Sequence, residues 1–306
     1  MTGGAPSANA AMRAVRLALV RQLDKAIAEL QRCGHSDSAV HGVRKELKRV
    51  RATLRLFRTC FGVTTYQREN ALIRDAAKPL TPARDAKVLL ETLRRLQPES
   101  DVKVNTFVRQ LYRALRQERR DAHRHLRPED LTASAAVLRA VKRRLERLSE
   151  SRLDPAALGK GLKRTYKSGR KAIACVKERP TDERLHEWRK QVQYLSHQFE
   201  IVLRLSPKRF ARSHKRSHRL AQRLGEDHDL ALLNDKILQH AKGPNAASQN
   251  DAVEELLNRL ARRRKALQGK AYRLGRELYS ARPHRIEATI DKSLRSTKYQ
   301  LAQQEV

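Results

Sequence analysis

Apolar residues recur along almost the whole chain at intervals of three and four, with charged and small polar residues between them. That period belongs to amphipathic helices, and no stretch alternates in the two-residue rhythm of a half-buried strand. Glycine and proline are few, at 12 and 10, and they gather where the periodicity breaks. The spacing predicts helices near 12–33, 37–60, 66–97, 101–126 and 132–151. A second series is predicted near 155–178, 181–204, 207–241, 248–280 and 284–300. The fold class is all-α, built from long antiparallel helices with short connections. Residues 1–11 and 301–306 read as flexible tails, and GPNAASQN, from Gly243, as a polar loop.

The stretch VHGVRKELKRVRATLRLF, Val40 to Phe57, shows how the two faces divide. With His41 at 0°, Arg44, Lys45, Lys48, Arg51 and Arg55 fall within a stripe about 120° wide. Val43, Leu47, Val50, Leu54 and Phe57 fall on the opposite side, at roughly 160–240°. A solvated helix face mixes its signs, because like charges one turn apart repel. Here the only acid, Glu46, points away from the stripe, so the repulsion calls for an anion that the segment itself does not supply.

The pattern returns at Leu185 as LHEWRKQVQYLSHQFEIV. His186, Arg189 and Lys190 stand 145 residues after His41, Arg44 and Lys45. The apolar positions match too: Val43 with Trp188, Leu47 with Val192, Val50 with Leu195, Leu54 with Phe199, and Phe57 with Val202. KPLTPARDAKVLL, from Lys78, aligns with QRLGEDHDLALLN, from Gln222, and sets Asp85 against Asp229. The chain therefore reads as an internal duplication, with halves 12–152 and 153–300 of one domain. A duplication predicts a pseudo-twofold arrangement in which the two basic helices face one shared cleft.

Composition narrows the partner. Against 33 acids stand 67 Lys and Arg, 46 of them Arg, for a net charge of +34. Such a field gathers polyanions, and the planar guanidinium suits bidentate phosphate contacts. Three cysteines, Cys33, Cys60 and Cys175, form no CxxC pair, which argues for a reducing cytoplasm without a disulfide or zinc framework. No apolar leader opens the sequence and no run reaches membrane-spanning length.

The HxxRK motif opening a basic helix, its recurrence, and the Leu-x-x-x-Arg/His-Asp element after each resemble the CHAD family, the conserved histidine α-helical domain. The resemblance covers roughly 12–300. It implies two helical bundles related by a pseudo-twofold axis, with a basic central cavity that binds inorganic polyphosphate. It also implies residence at polyphosphate or polyhydroxyalkanoate storage granules, with granule-associated proteins as further partners. No ExExK signature is present, so the chain resembles a stand-alone member without a CYTH domain.

By that resemblance the polyphosphate ligands are His41, Arg44, Lys45, Lys48, Arg51 and Arg55 in the first motif, and His186, Arg189 and Lys190 in the second. The second motif then departs from the first, with Gln193, Ser196 and Glu200 where the first has Lys48, Arg51 and Arg55. GLKRTYKSGRKA supplies Lys163, Arg164, Lys167, Arg170 and Lys171 as compensation, and HKRSHRLAQR supplies His214, Lys215, His218, Arg219 and Arg223.

The chemistry agrees with the resemblance. Polyphosphate has no base to read, so its receptor needs rigidly spaced cations and little else. Nucleic acid is the chief rival, but aromatic residues make up only 4%, too few for stacking platforms, and no specific nucleic-acid signature appears. A granule-coat scaffold acting through a protein partner is the other. No P-loop, paired carboxylates or activated nucleophile points to catalysis, and no cofactor is expected. His214 and His218 have the spacing of a metal pair and Glu226, Asp227 and Asp229 follow them. The basic surroundings disfavour a cation there, so no metal is assigned; the acids are expected to cap the next helix or pair with arginines.

Overall fold

The computed structural model describes residues 6–33, 36–96, 102–147, 154–242 and 250–296. Among these it holds twelve helices and no strand. The first half contributes α1 (Pro6–Leu30), α2 (Asp37–Leu56), α3 (Arg58–Phe61), α4 (Val63–Asp75), α5 (Thr81–Leu96), α6 (Val102–Arg124) and α7 (Pro128–Glu146). The second contributes α8 (Pro155–Glu178), α9 (Asp182–Leu205), α10 (Pro207–His240), α11 (Asn250–Leu278) and α12 (Pro283–Ser296).

Four boundaries correct the periodicity. α1 begins at Pro6, so helix reaches into the expected tail. The segment expected as one helix over 66–97 is two, α4 and α5, separated at Ala76–Leu80 around Pro79. Proline lacks an N–H and turns the preceding residue away from helix, so the apolar rhythm continues across a break in the backbone. The helix expected over 37–60 closes at Leu56, and a short α3 follows before Gly62, whose φ of 76° suits glycine. α7 starts earlier than expected, with Pro128 in its first turn. The Gly243 loop up to Gln249, and the 301–306 tail, lie outside the described residues.

The two motif helices start alike. Ser36 caps α2 by accepting from the Ser38 amide at 3.2 Å, and Thr181 caps α9 by accepting from the Arg184 amide at 3.3 Å. His41 and His186 each follow five residues after that hydroxyl. The apolar stripes then bury fully. Val43, Leu47, Val50 and Leu54 on α2 with Phe57 at its C-cap, and Trp188, Val192, Leu195, Phe199 and Val202 on α9, are all at most 2% exposed. Each such side chain contributes about 1.5–3 kcal/mol by leaving water, so these stripes fix which way the cationic faces turn.

Two apolar cores result, and neither coincides with a half of the sequence. The larger joins α1 to α4 and α7 to α9 with the first part of α10, the end of α11 and α12. The smaller joins α5 and α6 to the later part of α10 and the earlier part of α11. α10 runs through both, with Leu224 in the first core and Leu230 in the second. The helices that the sequence repeat matches are in contact with each other: α2 with α9, and α5 with α10. Gly161 permits close approach of α8 to the end of α2, since a Cβ there would stand 2.0 Å from the Leu56 carbonyl oxygen.

Candidate functional site

Four helices bring their charges together where the two cores meet. α2 supplies His41, Arg44 and Lys48; α5 supplies Arg84, Asp85 and Lys87; α9 supplies His186 and Arg189; α10 supplies His228 and Asp229. Arg84 bridges the helices, with Nη1 at 2.8 Å from Asp85 Oδ1 and Nη2 at 3.6 Å from Asp229 Oδ1. Arg44 donates to the Thr81 hydroxyl at 2.9 Å, which anchors α2 on the start of α5. The His186 and His228 rings stand 5.0 Å apart. One recess, of about 290 Å³, opens beside Arg44, Lys48 and Arg51, between α2 and the turn at Lys78–Thr81. Another, of about 240 Å³, opens beside His41, Arg84 and Lys87.

The electrostatics show how crowded these cations are. Burial, then Arg189, Arg84 and Arg44, push the Lys48 ammonium down to about 7. Burial followed by Arg84 lowers Arg44. Burial lowers Arg189 as well, and although Asp229 opposes this, Arg84 and Arg44 add to it. The histidines move the same way. His41 is lowered by burial and then by Lys87, Lys45, Lys48 and Arg84. His186 is lowered by burial, Arg189 and Lys190. His228 falls to about 4 through burial, Arg189, His186 and Arg84. Asp229 is raised by burial even though Arg84 and Arg189 pull it down. Its Oδ1 has no hydrogen-bond partner, because the Arg84 contact is an ion pair too long for one. Cations from both halves of the chain therefore converge around Asp85 and Asp229, while Asp37 and Glu91 stand at the rim of the His41 recess, paired with Arg119 and His123 and with Lys87.

The remaining first-motif cations have other partners. Arg51 donates from Nε to Asn70 at 3.0 Å and from Nη2 to the Tyr194 hydroxyl at 3.2 Å. The Arg55 guanidinium lies 4.9 Å from the Tyr194 ring centroid. Lys45 is exposed on the outer edge. In the second motif Lys190 is exposed and pairs with Glu187. Gln193 is half-buried, Ser196 buried, and Glu200 pairs with Arg49 at 2.9 Å.

The compensating segments divide. On α8, Arg164 approaches Arg55 and Arg58, which lower it after burial does. Lys163 instead reaches Glu287 on α12 at 2.5 Å. Arg170 and Lys171 are exposed, and Lys171 edges a recess with Cys175 and Arg184. On α10, His214 and His218 stack with centroids 6.2 Å apart, and His214 feels Glu200 and His197 rather than the Lys48 cluster. Arg219 is exposed and Arg223 pairs with Glu226 at 3.1 Å. The acids of GEDHD do not cap a helix, since α10 continues through them. Asp227 accepts from Arg264 at 3.1 Å and Gln268 at 3.0 Å, on the side of α10 facing α11.

Arg84, Lys87, His228 and Tyr194 were not among the ligands expected from sequence. A signal for two of them lay in the aligned elements: Arg84 and His228 immediately precede the matched Asp85 and Asp229.

Fold and site together define an all-helical domain with a basic cluster at the junction of its cores. The CHAD domain family model matches residues 15–238, and the chain belongs to that family. The crystal structure of the CHAD domain from the plant Ricinus communis superposes with a TM-score of 0.65 at 20% identity, covering 88% of this chain and 92% of that one. The chain matches no curated protein. No described helix is long and apolar enough to cross a membrane.

Proposed function

We propose that the protein binds inorganic polyphosphate, without turning it over, across the cluster formed by α2, α5, α9 and α10. The observation that carries this reading is the mutual crowding of Arg44, Lys48, Arg84 and Arg189 from three helices around two aspartates. Holding these like charges together is costly, and a multivalent anion removes the cost. A phosphate polymer supplies many charges on a narrow, baseless backbone, which suits recesses lined by cations and lacking aromatic platforms. Family membership supports the same ligand, because the CHAD resemblance carries polyphosphate binding. A bound polymer would thread the two recesses flanking Arg44 as one groove. The protein's residence at polyphosphate-containing storage granules would follow from this binding.

A competition titration tests it. Long-chain polyphosphate, single- and double-stranded DNA, and heparin are compared at equal charge concentration and two salt levels. Polyphosphate should lead by tenfold or more and keep its lead as counterion release weakens every polyanion. Equal binding that fades together would reduce the cluster to a diffuse positive field. Phosphate release from the same mixtures, followed with Mg²⁺ present, should stay at the level of a protein-free control.

A further inference from the structure

We propose a second ligand site, for a small amphipathic carboxylate, between α1, α2 and α9. It lies on the flank of α2 turned away from the cationic stripe. Glu46, Arg49 and Thr53 face it, about 80–140° around the helix from His41. The cavity there measures about 360 Å³, within the size range of small-molecule sites.

Its two ends differ. Gly42 lies against Glu29, so α1 and α2 run antiparallel across their short connection. Lys25 therefore stands toward Glu46, and Ala14, Leu17 and Ala18 stand toward Thr53. α9 enters with His197, Glu200, Ile201 and Arg204, and the Arg49–Glu200 pair at 2.9 Å fixes its register. One end is thus apolar, and Leu17 remains 43% exposed there. The other end carries Lys25 and Arg204, both exposed, with Arg21 close by.

The acids of this cavity are already engaged. Glu46 accepts from Arg49 at 2.8 Å, and Glu200 is held by Arg49 and by His197 at 3.6 Å. Lys25 and Arg21 form no ion pair among the described residues. Two polar atoms of the wall, Gln22 Oε1 and Arg49 Nε, are buried without a hydrogen-bond partner. α1 residues from Ala14 to Lys25 span about 16 Å, long enough for an extended chain of roughly ten carbons. Apolar walls, a cationic end and the unfilled Arg49 Nε–H donor select an aliphatic tail with one carboxylate rather than a polymer of phosphates.

The test titrates the full-length protein with decanoate below its micelle concentration, followed by calorimetry and by NMR. Methyl decanoate and inorganic phosphate serve as comparison ligands. Saturable binding of one decanoate per chain is expected, with a Kd of about 10–1000 μM. Neither the ester nor phosphate should come within tenfold of it. Lys25→Gln/Arg204→Gln should weaken decanoate about tenfold, and Ala18→Phe, which fills the apolar end, should abolish binding. Both variants should retain the polyphosphate affinity of the parent, so this site and the basic cluster succeed or fail separately. Helicity and thermal midpoint check that Ala18→Phe folds, and Leu17→Gln replaces it if it does not. Multi-site adsorption, equal binding of the ester, or decanoate affinity unchanged in either folded variant would overturn the proposal.

Discussion

α2 and α9 open with the same histidine, arginine and lysine and then diverge. α2 goes on with Lys48, Arg51 and Arg55, whereas α9 has Gln193, Ser196 and Glu200 in the matching positions. Read along one helix, that is a loss of anion ligands. Across the interface it is complementarity. Arg51 and Arg55 reach Tyr194, Arg55 Nη2 lies 3.5 Å from Gln191 Oε1, and Arg49 reaches Glu200. Gln198 donates to the Ala52 carbonyl at 3.0 Å. Two equally cationic helices could not pack this way, since each added arginine would meet another in a low-dielectric contact. Across most of these contacts α2 supplies the cation and α9 the acceptor, and the histidine and arginine near the start of each helix stay on the side that faces the cluster.

The largest effect should come from removing the shared part. Arg44→Ala/Lys48→Ala/Arg189→Ala should lower polyphosphate affinity at least about 100-fold, since a hydrogen bond to a charged group is worth about 1.5–3 kcal/mol. Thermal stability should change little, because relief of three crowded cations offsets the lost Arg44–Thr81 hydrogen bond and the lost Arg189 charge beside Asp229. Fluorescence titration and a melt measure the two. Affinity unchanged in this variant would move the ligand off the cluster.

Next in size is the pH response. Lys48 is held near 7 in the free protein, and a bound phosphate favours its charged form, so its pKa rises on binding and a proton is taken up. The Lys48 contribution to affinity should therefore be flat below about 7 and fall above it, by up to about tenfold per pH unit, until the bound-state pKa is passed. His41, His186 and His228, lowered in the free protein, add a further gain on acidification. Calorimetry in buffers of different ionisation enthalpy reads the uptake directly, and proton release would contradict the sign.

Gln193→Lys sharpens the comparison from the other side by restoring on α9 the cation that α2 has at Lys48. Up to about a fivefold gain in affinity is expected, the scale of a partly exposed charge contact. Smallest is Tyr194→Phe, which removes the hydroxyl that Arg51 uses while keeping the ring beneath Arg55. It should cost about 0.5–1.5 kcal/mol in denaturant unfolding, with less than a twofold change in polyphosphate affinity.

The helices and their buried faces were legible because a 3.6-residue period is written in the sequence itself: every apolar position read from Val43 to Phe57 is buried. The break at Pro79 was marked by its own proline and overridden by the rhythm on either side. The candidate cluster was legible where one helix carries it, as with Arg44 and Lys48. It was hidden where packing supplies it. Nothing within α5 distinguishes Arg84 from the solvent-facing Arg94 and Arg95 until α10 brings Asp229 and His228 beside it. Likewise the sequence does not show that Arg51, on the wall of the Lys48 recess, is held by Tyr194 from 143 residues away.

The interleaving of the cores bears on how the protein is made. Each core needs helices from both ends of the chain, so a nascent chain that has emerged only through α7 holds an unfinished apolar surface and half of its cations. The cluster forms only after α10 has left the ribosome, and the larger core closes later still, when α12 packs on α8 and α1. Until then the chain is both sticky and strongly basic in a compartment full of RNA. Complete packing of either core therefore belongs to the last stage of synthesis, because each needs contacts between helices far apart in the sequence.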